Sequence, residues 1–432
     1  MATDRDRRAL AAWAASGAMT ITGRADGPPL GPPDGLVAGL QRSAAVIGQR
    51  SARLGVPLEV DAVALLGERA AIGGLTRRSP TSCGGATRLV RAADGWLAVA
   101  LPRPEDRELL PAWLGIDTAD AGDAEDDEVP WAVVEAALGG RRCQEAAERA
   151  WLLGLAVSQL RQGRGAVPAA PPPLAPLPVI ATPVPAPDAE SRPLRDMTVI
   201  DLSSLWAGPL CGNLLSLAGA EVVKVESTTR PDGSRAGPGR FFDVLNGGKR
   251  SVALDLADAD GWRVLRRLLA AADVVIEGSR PRALEQRGIV APDLVANAGP
   301  RVWVSITGHG RTGPGRDRVA FGDDAAVAGG LVVADEAGPC FCADAAADPA
   351  AGLVAATACL DALAAGGRWL VDVAMAGVAA SLAGPTLAPG PDRPVDGPVD
   401  PVAPPRARAA IAPGPALGAH TAEVLGGLGV TP

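Results

Sequence analysis

Asp348 is followed at once by Pro349 and then by the apolar run Ala350-Ala351-Gly352-Leu353. Proline suits the first turn of a helix, and the positive end of a helix favours an ionised carboxylate. A carboxylate held rigidly there can attack an activated acyl group, although the same Asp-Pro pair is also the ordinary signature of an N-cap. Asp344, four residues upstream, is a weaker candidate for the same role, as is Asp34 in the related stretch Gly31-Pro32-Pro33-Asp34-Gly35-Leu36. Only the later stretch keeps an aspartate four residues before its Gly-Leu pair. Lys249-Arg250 and Arg280 could grip phosphates or could be solvated loop residues. His309 sits between Gly308 and Gly310, where local hydrogen bonding is the plainer reading. The six cysteines are irregularly spaced, and Cys340-Phe341-Cys342 lacks a second pair at ligand spacing, so no metal site is expected.

Elements of some size must position these groups. A chain of 432 residues implies two or three domains. A net charge of −8 argues against a nucleic-acid partner, which needs a basic field. No apolar run reaches the ~20 residues that span a bilayer. Asp4 and Asp6 spoil the signal-like Arg5-Asp6-Arg7-Arg8 start, and unpaired thiols suit a reducing compartment, so a cytoplasmic protein without a membrane partner is expected.

Residues 166–193 are dominated by Pro and Ala and read as an extended linker. After it, apolar strands at 197–202, 221–226, 251–254, 273–277 and 302–306 alternate with helices at 207–217 and 260–271. That rhythm predicts an α/β fold with a doubly wound parallel sheet, whose ligands sit at the carboxyl ends of its strands. Before the linker, Thr87–Val90, the turn Ala93-Asp94-Gly95 and Trp96–Leu101 predict a hairpin. Helical stretches follow at 105–114 and 144–160, giving a smaller α+β domain. An internal echo joins the two blocks: Gly35-Leu36-Val37-Ala38 leading to Pro57–Ala64 parallels Gly352-Leu353-Val354-Ala355 leading to Trp369–Met375. Duplication is the better account of it.

The ordered phrases of the second block carry a resemblance. They are Asp201-Leu202 with Ala207-Gly208-Pro209, Gly219–Glu226, Asp232-Gly233-Ser234-Arg235, Asn246–Leu256, Ala272–Glu277, Arg280-Pro281 and Ile306–Pro314. In these, segment 194–320 resembles the class III CoA-transferases of the formyl-CoA and carnitinyl-CoA type. Leu417–Leu425 resembles the family's closing helix. The family pattern continues with a Gly-Gly turn, a loop, and a nucleophilic aspartate four residues before a Gly. Gly329-Gly330, Asp348 and Gly352 match it, so the resemblance gives Asp348 the nucleophile's role. It also implies that Leu205, Ala207, Gly208, Lys249, Arg250, Arg280, Gly308 and His309 hold coenzyme A, as substrate. Gly-rich loops such as Gly329-Gly330 could supply oxyanion donors.

On this reading residues 1–78 are a degenerate late-half segment of the large domain and 79–165 the small α+β domain. The linker follows at 166–193, a CoA-binding, Rossmann-like large domain at 194–385, and a Pro-rich return with a terminal helix at 386–432. The resemblance implies transfer of CoA from an acyl-CoA to a carboxylic acid through an aspartyl anhydride and an aspartyl-CoA thioester, in a homodimer. Several positions depart from the pattern: Trp206 replaces a commonly polar residue, Ser227 a frequent basic one, and Gly278 and Thr307 an Asn and a Lys. A non-catalytic CoA-binding or partner subunit is therefore the competing reading. An α-methylacyl-CoA racemase-like enzyme ranks lower, because Gly322-Asp323-Asp324 has no His.

Overall fold

The computed structural model describes residues 4–117, 129–160, 178–185, 192–297, 299–384 and 402–428. Three helices open the chain: α1 (Asp4–Ser16), α2 (Leu36–Leu54) and α3 (Glu68–Gly73). A small unit follows, made of β1 (Thr87–Ala92), β2 (Gly95–Ala100), α4 (Pro104–Glu108), α5 (Leu110–Leu114), α6 (Trp131–Gly139), α7 (Cys143–Leu152) and β3 (Ala156–Gln159). The expected hairpin forms around a two-residue Ala93-Asp94 turn, with Ala92 opposite Gly95. The helix expected to run to Leu160 stops at Leu152. Gly154 turns the chain with φ 78°, a left-handed conformation natural to glycine, and Ala156–Gln159 instead pair with β2 as a third antiparallel strand.

The large sheet runs β4 (Ile180–Pro183), β5 (Thr198–Asp201), β6 (Glu221–Ser227), β7 (Arg250–Leu254), β8 (Val274–Glu277), β9 (Val302–Thr307) and, after the hairpin β10 (Val332–Asp335) and β11 (Gly338–Phe341), β12 (Trp369–Ala374). Its spatial order is β4-β12-β9-β8-β5-β6-β7, parallel throughout except for β4. The chain moves outward from β5 through β6 to β7, then returns to lie beside β5 as β8, so its direction of progress reverses between β5 and β8. Strand β4 lies inside the expected linker and caps the sheet edge, where a terminal Pro183 costs no ladder bond. Residues 166–177 and 186–191 of that Pro/Ala tract lie outside the described residues, as do 386–401 of the Pro-rich return.

The remaining helices are α8 (Ala207–Leu217), α9 (Gly239–Asn246), α10 (Ala259–Ala271), α11 (Pro281–Glu285), α12 (Ala291–Ala296), α13 (Gly322–Gly329), α14 (Ala347–Ala365), α15 (Met375–Ala383) and α16 (Thr421–Gly427). Alternation along the strands divides the apolar side chains between two faces. Val199, Val274, Val304 and Val371 point into one core with α2, α8, α14 and α15, whereas Ile200, Val275 and Trp303 point into another with α10, α12 and α16. Helix α14 is long and apolar enough to cross a membrane by length and composition; here it is the central core helix, buried along nearly all its length.

The two echoed stretches meet in space, α2 packing along α14 with an Arg50–Asp361 ion pair between them. Their second phrases diverge. Trp369–Ala374 is strand β12, but 57–60 is irregular and Ala64–Gly67 a 3-10 turn.

Candidate active site

Between β11 and α14 the chain passes through Cys342–Ala346, with Ala343 and Ala345 in the left-handed region (φ 56° and 44°). That conformation costs about 1–2 kcal/mol per non-glycine residue. Specific donors hold it: the Ala343 amide donates to Thr22 Oγ1 (2.9 Å) and the Ala345 amide to Asp323 Oδ1 (3.1 Å). Asp344 lies between them, fully buried, and accepts from Arg69 Nε (2.8 Å) and Arg69 Nη2 (2.5 Å) in a two-pronged pair. The weaker candidate is thus locked to a guanidinium. Asp34, the other one, is an exposed residue of the turn before α2, beside Gly384.

Asp348 is the second residue of α14, and its amide donates to Ala345 O (2.8 Å). Its side chain rests on Gly322, where any added methyl group would collide with Oδ2. Four carboxylates converge here. Asp323, Asp324 and Asp344 are buried, whereas Asp348 alone is half-buried, and no donor among the described residues hydrogen-bonds its carboxylate. Burial pushes Asp348 up to about 7; Arg69 pulls the other way, and Asp323, Asp344 and Asp324 add to the rise. Asp324 is likewise pushed by burial to about 7, although it accepts from the Phe321 amide (2.6 Å) and from Ser158 Oγ of the small unit (3.0 Å). Burial, then Asp344, raises Asp323, with Arg69, Ser82 and Thr87 opposing.

The start of α14 lies beside the first turn of α8, the helix that follows the carboxyl end of β5. One helical turn along α14, Gly352 abuts Ala207 O and Leu210, so the N-terminal turn of α8 and that of α14 touch. Ala207 and Gly208 are buried in that turn, Gly208 against Ser203. Trp206 precedes it, buried, edge-on to Phe241 (5.2 Å, 88°), with the Arg69 guanidinium 5.4 Å from its ring centre. Leu205 is 44% exposed in a left-handed conformation (φ 70°), and its amide is held by Asp232 Oδ1 (3.0 Å). Asp232 in turn pairs with the wholly buried Lys224 (2.8 Å).

The other expected CoA contacts separate into two groups. Lys249 is buried and spends its ammonium protons on Asp201 Oδ2 (2.9 Å), Pro209 O (2.9 Å) and Asn246 Oδ1 (3.0 Å), leaving none for a phosphate. Arg250 is paired with Glu221 (2.6 Å) and Glu423 (3.0 Å). Gly329 packs against α15 and Gly330 closes α13, its amide donating to Val327 O; the expected oxyanion donors are a helix C-cap.

Arg280, by contrast, lies just past the end of β8, beside the reversal in strand order. Burial lowers its pKa, with Arg282, Arg103 and Arg230 lowering it further and Asp317 opposing. Of these, Arg103 is paired with the buried Asp106 and Arg282 lies 3.8 Å from Asp317, and Arg103 stacks over Phe321 (5.7 Å) next to Gly322. Gly308 packs against Ala320, and His309 is pushed by burial and Arg318 down to about 4, so it is neutral at pH 7. Arg69 and Arg282 carry no local signal, because their partners Asp344 and Asp317 lie far along the chain, whereas Arg103 is paired with Asp106 three residues on.

The family model of CoA-transferase family III matches residues 194–409. The chain is 36% identical over 147 residues to a succinyl-CoA–D-citramalate CoA-transferase of Chloroflexus aurantiacus, covering 32% of this chain and 37% of that protein. It is 33% identical over 190 residues to a succinyl-CoA:glutarate CoA-transferase of Mus musculus, covering 42% of each. A CAIB/BAIF family protein from Brucella suis of known structure is 31% identical, with a TM-score of 0.41 over 45% of this chain and 56% of that one. The chain thus spans only about two fifths of the length of these curated relatives. By the family match over residues 194–409, it belongs to CoA-transferase family III.

Proposed function

We propose that the chain transfers CoA from an acyl-CoA thioester to a carboxylic acid, with Asp348 as the nucleophile. One observation carries the reading. Asp348 is the half-open member of an otherwise buried carboxylate group, at the N-terminus of α14 and one helical turn before Gly352, which abuts the first turn of α8. The strand order, with its reversal beside β5, is the Rossmann-like arrangement in which ligands occupy the carboxyl edge.

Asp348, ionised, attacks the thioester carbonyl and expels CoA thiolate, leaving an acyl-aspartyl anhydride. The thiolate then attacks the aspartyl carbonyl of that anhydride, releasing the donor acid as a carboxylate and forming an aspartyl-CoA thioester. An incoming carboxylate attacks this thioester, thiolate leaves again, and its return to the new acyl carbonyl frees Asp348. Charge balances at every step and no net proton moves. Each difficult exchange becomes two easier ones. Water would hydrolyse the anhydrides, so burial of the surrounding carboxylates and Trp206 serves to exclude it.

Arg280, with Arg230 near it, supplies the positive charge for the CoA phosphates. Leu205, Ala207, Gly208 and Gly308 shape the wall beside it. We place the substrate's carboxylate and acyl groups on the Asp348 side of Phe321.

The test is Asp348→Ala assayed for CoA exchange over a panel of acyl-CoAs and acids, alongside hydroxylamine trapping mapped by mass spectrometry. A substrate-dependent adduct at Asp348 in the native chain, absent from the variant, is the expected result. Full turnover by Asp348→Ala would remove Asp348 from the mechanism.

A further inference from the structure

We propose that Arg69, delivered from the N-terminal segment, is the positioning residue for Asp348: clamped to both oxygens of Asp344 and stacked on Trp206, it fixes the strained loop into α14 and supplies the cation that balances the carboxylate cluster. This rests on the nucleophile's role given to Asp348 above.

The geometry is specific to a guanidinium. Arg69 Nε and Nη2 each meet a different oxygen of Asp344 (2.8 and 2.5 Å), while the guanidinium carbon lies 5.4 Å from the Trp206 ring centre. A planar fork can satisfy both contacts at once and an ammonium cannot. Asp344 is fully buried and stands between the two left-handed alanines, so the clamp holds the segment that aims Asp348. A buried Asp344 without its partner would be an uncompensated charge.

The charged groups facing Asp348 are Asp323 and Asp324 from α13, Asp344 from the preceding loop and Arg69 from α3. Glu68, next to Arg69, is engaged elsewhere: it accepts from Arg408 Nε (2.6 Å) and the Arg408 amide (3.1 Å). Cys83, beside Arg69, Asp344 and Asp323, has its thiol pushed well up by burial and so stays neutral. Arg69 is therefore the cation that opposes three negative neighbours of Asp348. It is also about one third exposed, at the open side of the cluster.

The test compares the native chain with Arg69→Gln and Arg69→Lys. The Asp348 carboxyl is titrated by carbon-13 NMR, its resonance assigned with Asp348→Asn, and CoA exchange is measured in parallel. Removing the cation that opposes the carboxylate cluster is expected to raise the Asp348 midpoint by about one pH unit, with Arg69→Lys giving a smaller rise. The acid limb of the exchange activity should move with it, and kcat should fall more than KM changes.

A folded Arg69→Gln whose Asp348 midpoint equals that of the native chain overturns the proposal. Should Arg69→Gln fail to fold, Arg69→Lys decides: an unchanged midpoint and unchanged kcat overturn it. The titration needs no substrate, so a chain that exchanges no CoA would defeat the nucleophile reading and leave this test standing.

Discussion

Gly352→Ala tests the contact that places Asp348. A Cβ at Gly352 would lie 2.5 Å from Ala207 O and 3.0 Å from both Leu210 Cβ and Leu210 Cδ2. Ordinary contact begins at 3.4 Å, so α14 and α8 must part by about 0.9 Å against a backbone carbonyl that cannot swing away. Overpacking of this kind costs about 1–3 kcal/mol, and the better helix propensity of Ala returns about 1 kcal/mol. The net expectation is a loss of about 0–2 kcal/mol, read as a lower urea midpoint with unchanged slope. Because Asp348 is one helical turn away, the shift should also misplace the nucleophile, and misplacements near 1 Å can cost about a hundredfold in rate. Exchange activity should therefore fall far more than the folded fraction. A variant as stable and as active as the parent would refute the reasoning, because α8 would not then be the surface against which α14 is set.

Exchange activity is expected to rise with pH through about 7, following ionisation of Asp348, and a profile flat from pH 5 to 8 would count against that nucleophile. Stability should move the opposite way. Asp324 and Asp348 both sit near 7 when folded against about 3.8 in their ordinary state, so the folded chain binds more protons and loses stability as pH climbs from about 4 to about 7. Asp324→Asn should flatten that slope in urea titrations at several pH values.

Lys249→Met leaves Asp201 buried without its partner and is expected to destabilise the fold by about 3–5 kcal/mol in chemical denaturation, while any protein that folds keeps its affinity for CoA. Arg280→Ala should weaken CoA binding about tenfold by calorimetry, the loss of one charged contact, and Arg250→Ala should leave it unchanged. The reverse pattern would move the phosphate site to the other edge.

The order of the strands in sequence, the helix at 207–217 and the hairpin at 87–100 were legible because their signals are local. Alternating apolar residues, a Gly-Pro helix start and a tight turn each act within a few residues. Asp348 before Pro349 was visible for the same reason. Local signals misled where a neighbour decided the outcome: Ala156–Gln159 joined β2 in place of extending a helix, and Ile180–Pro183 became an edge strand because β12 offered it a free ladder.

The site followed the same division. Lys249 looked like a phosphate ligand in its Asn-Gly-Gly-Lys-Arg loop, yet folding spent its charge on Asp201, 48 residues away. The contact between Arg69 and Asp344 spans 275 positions, and no spacing rule reaches that far. Sequence by itself determined which residue types stand at helix starts and strand ends, since those preferences are properties of short segments. Tertiary structure alone decided which charges are neutralised and which remain free, because the pairing of a buried charge depends on whatever the whole fold brings within a few ångströms of it. For this chain that meant the Asp348 carboxylate left without a hydrogen bond among the described residues, Asp344 clamped, and a cationic charge placed at Arg280.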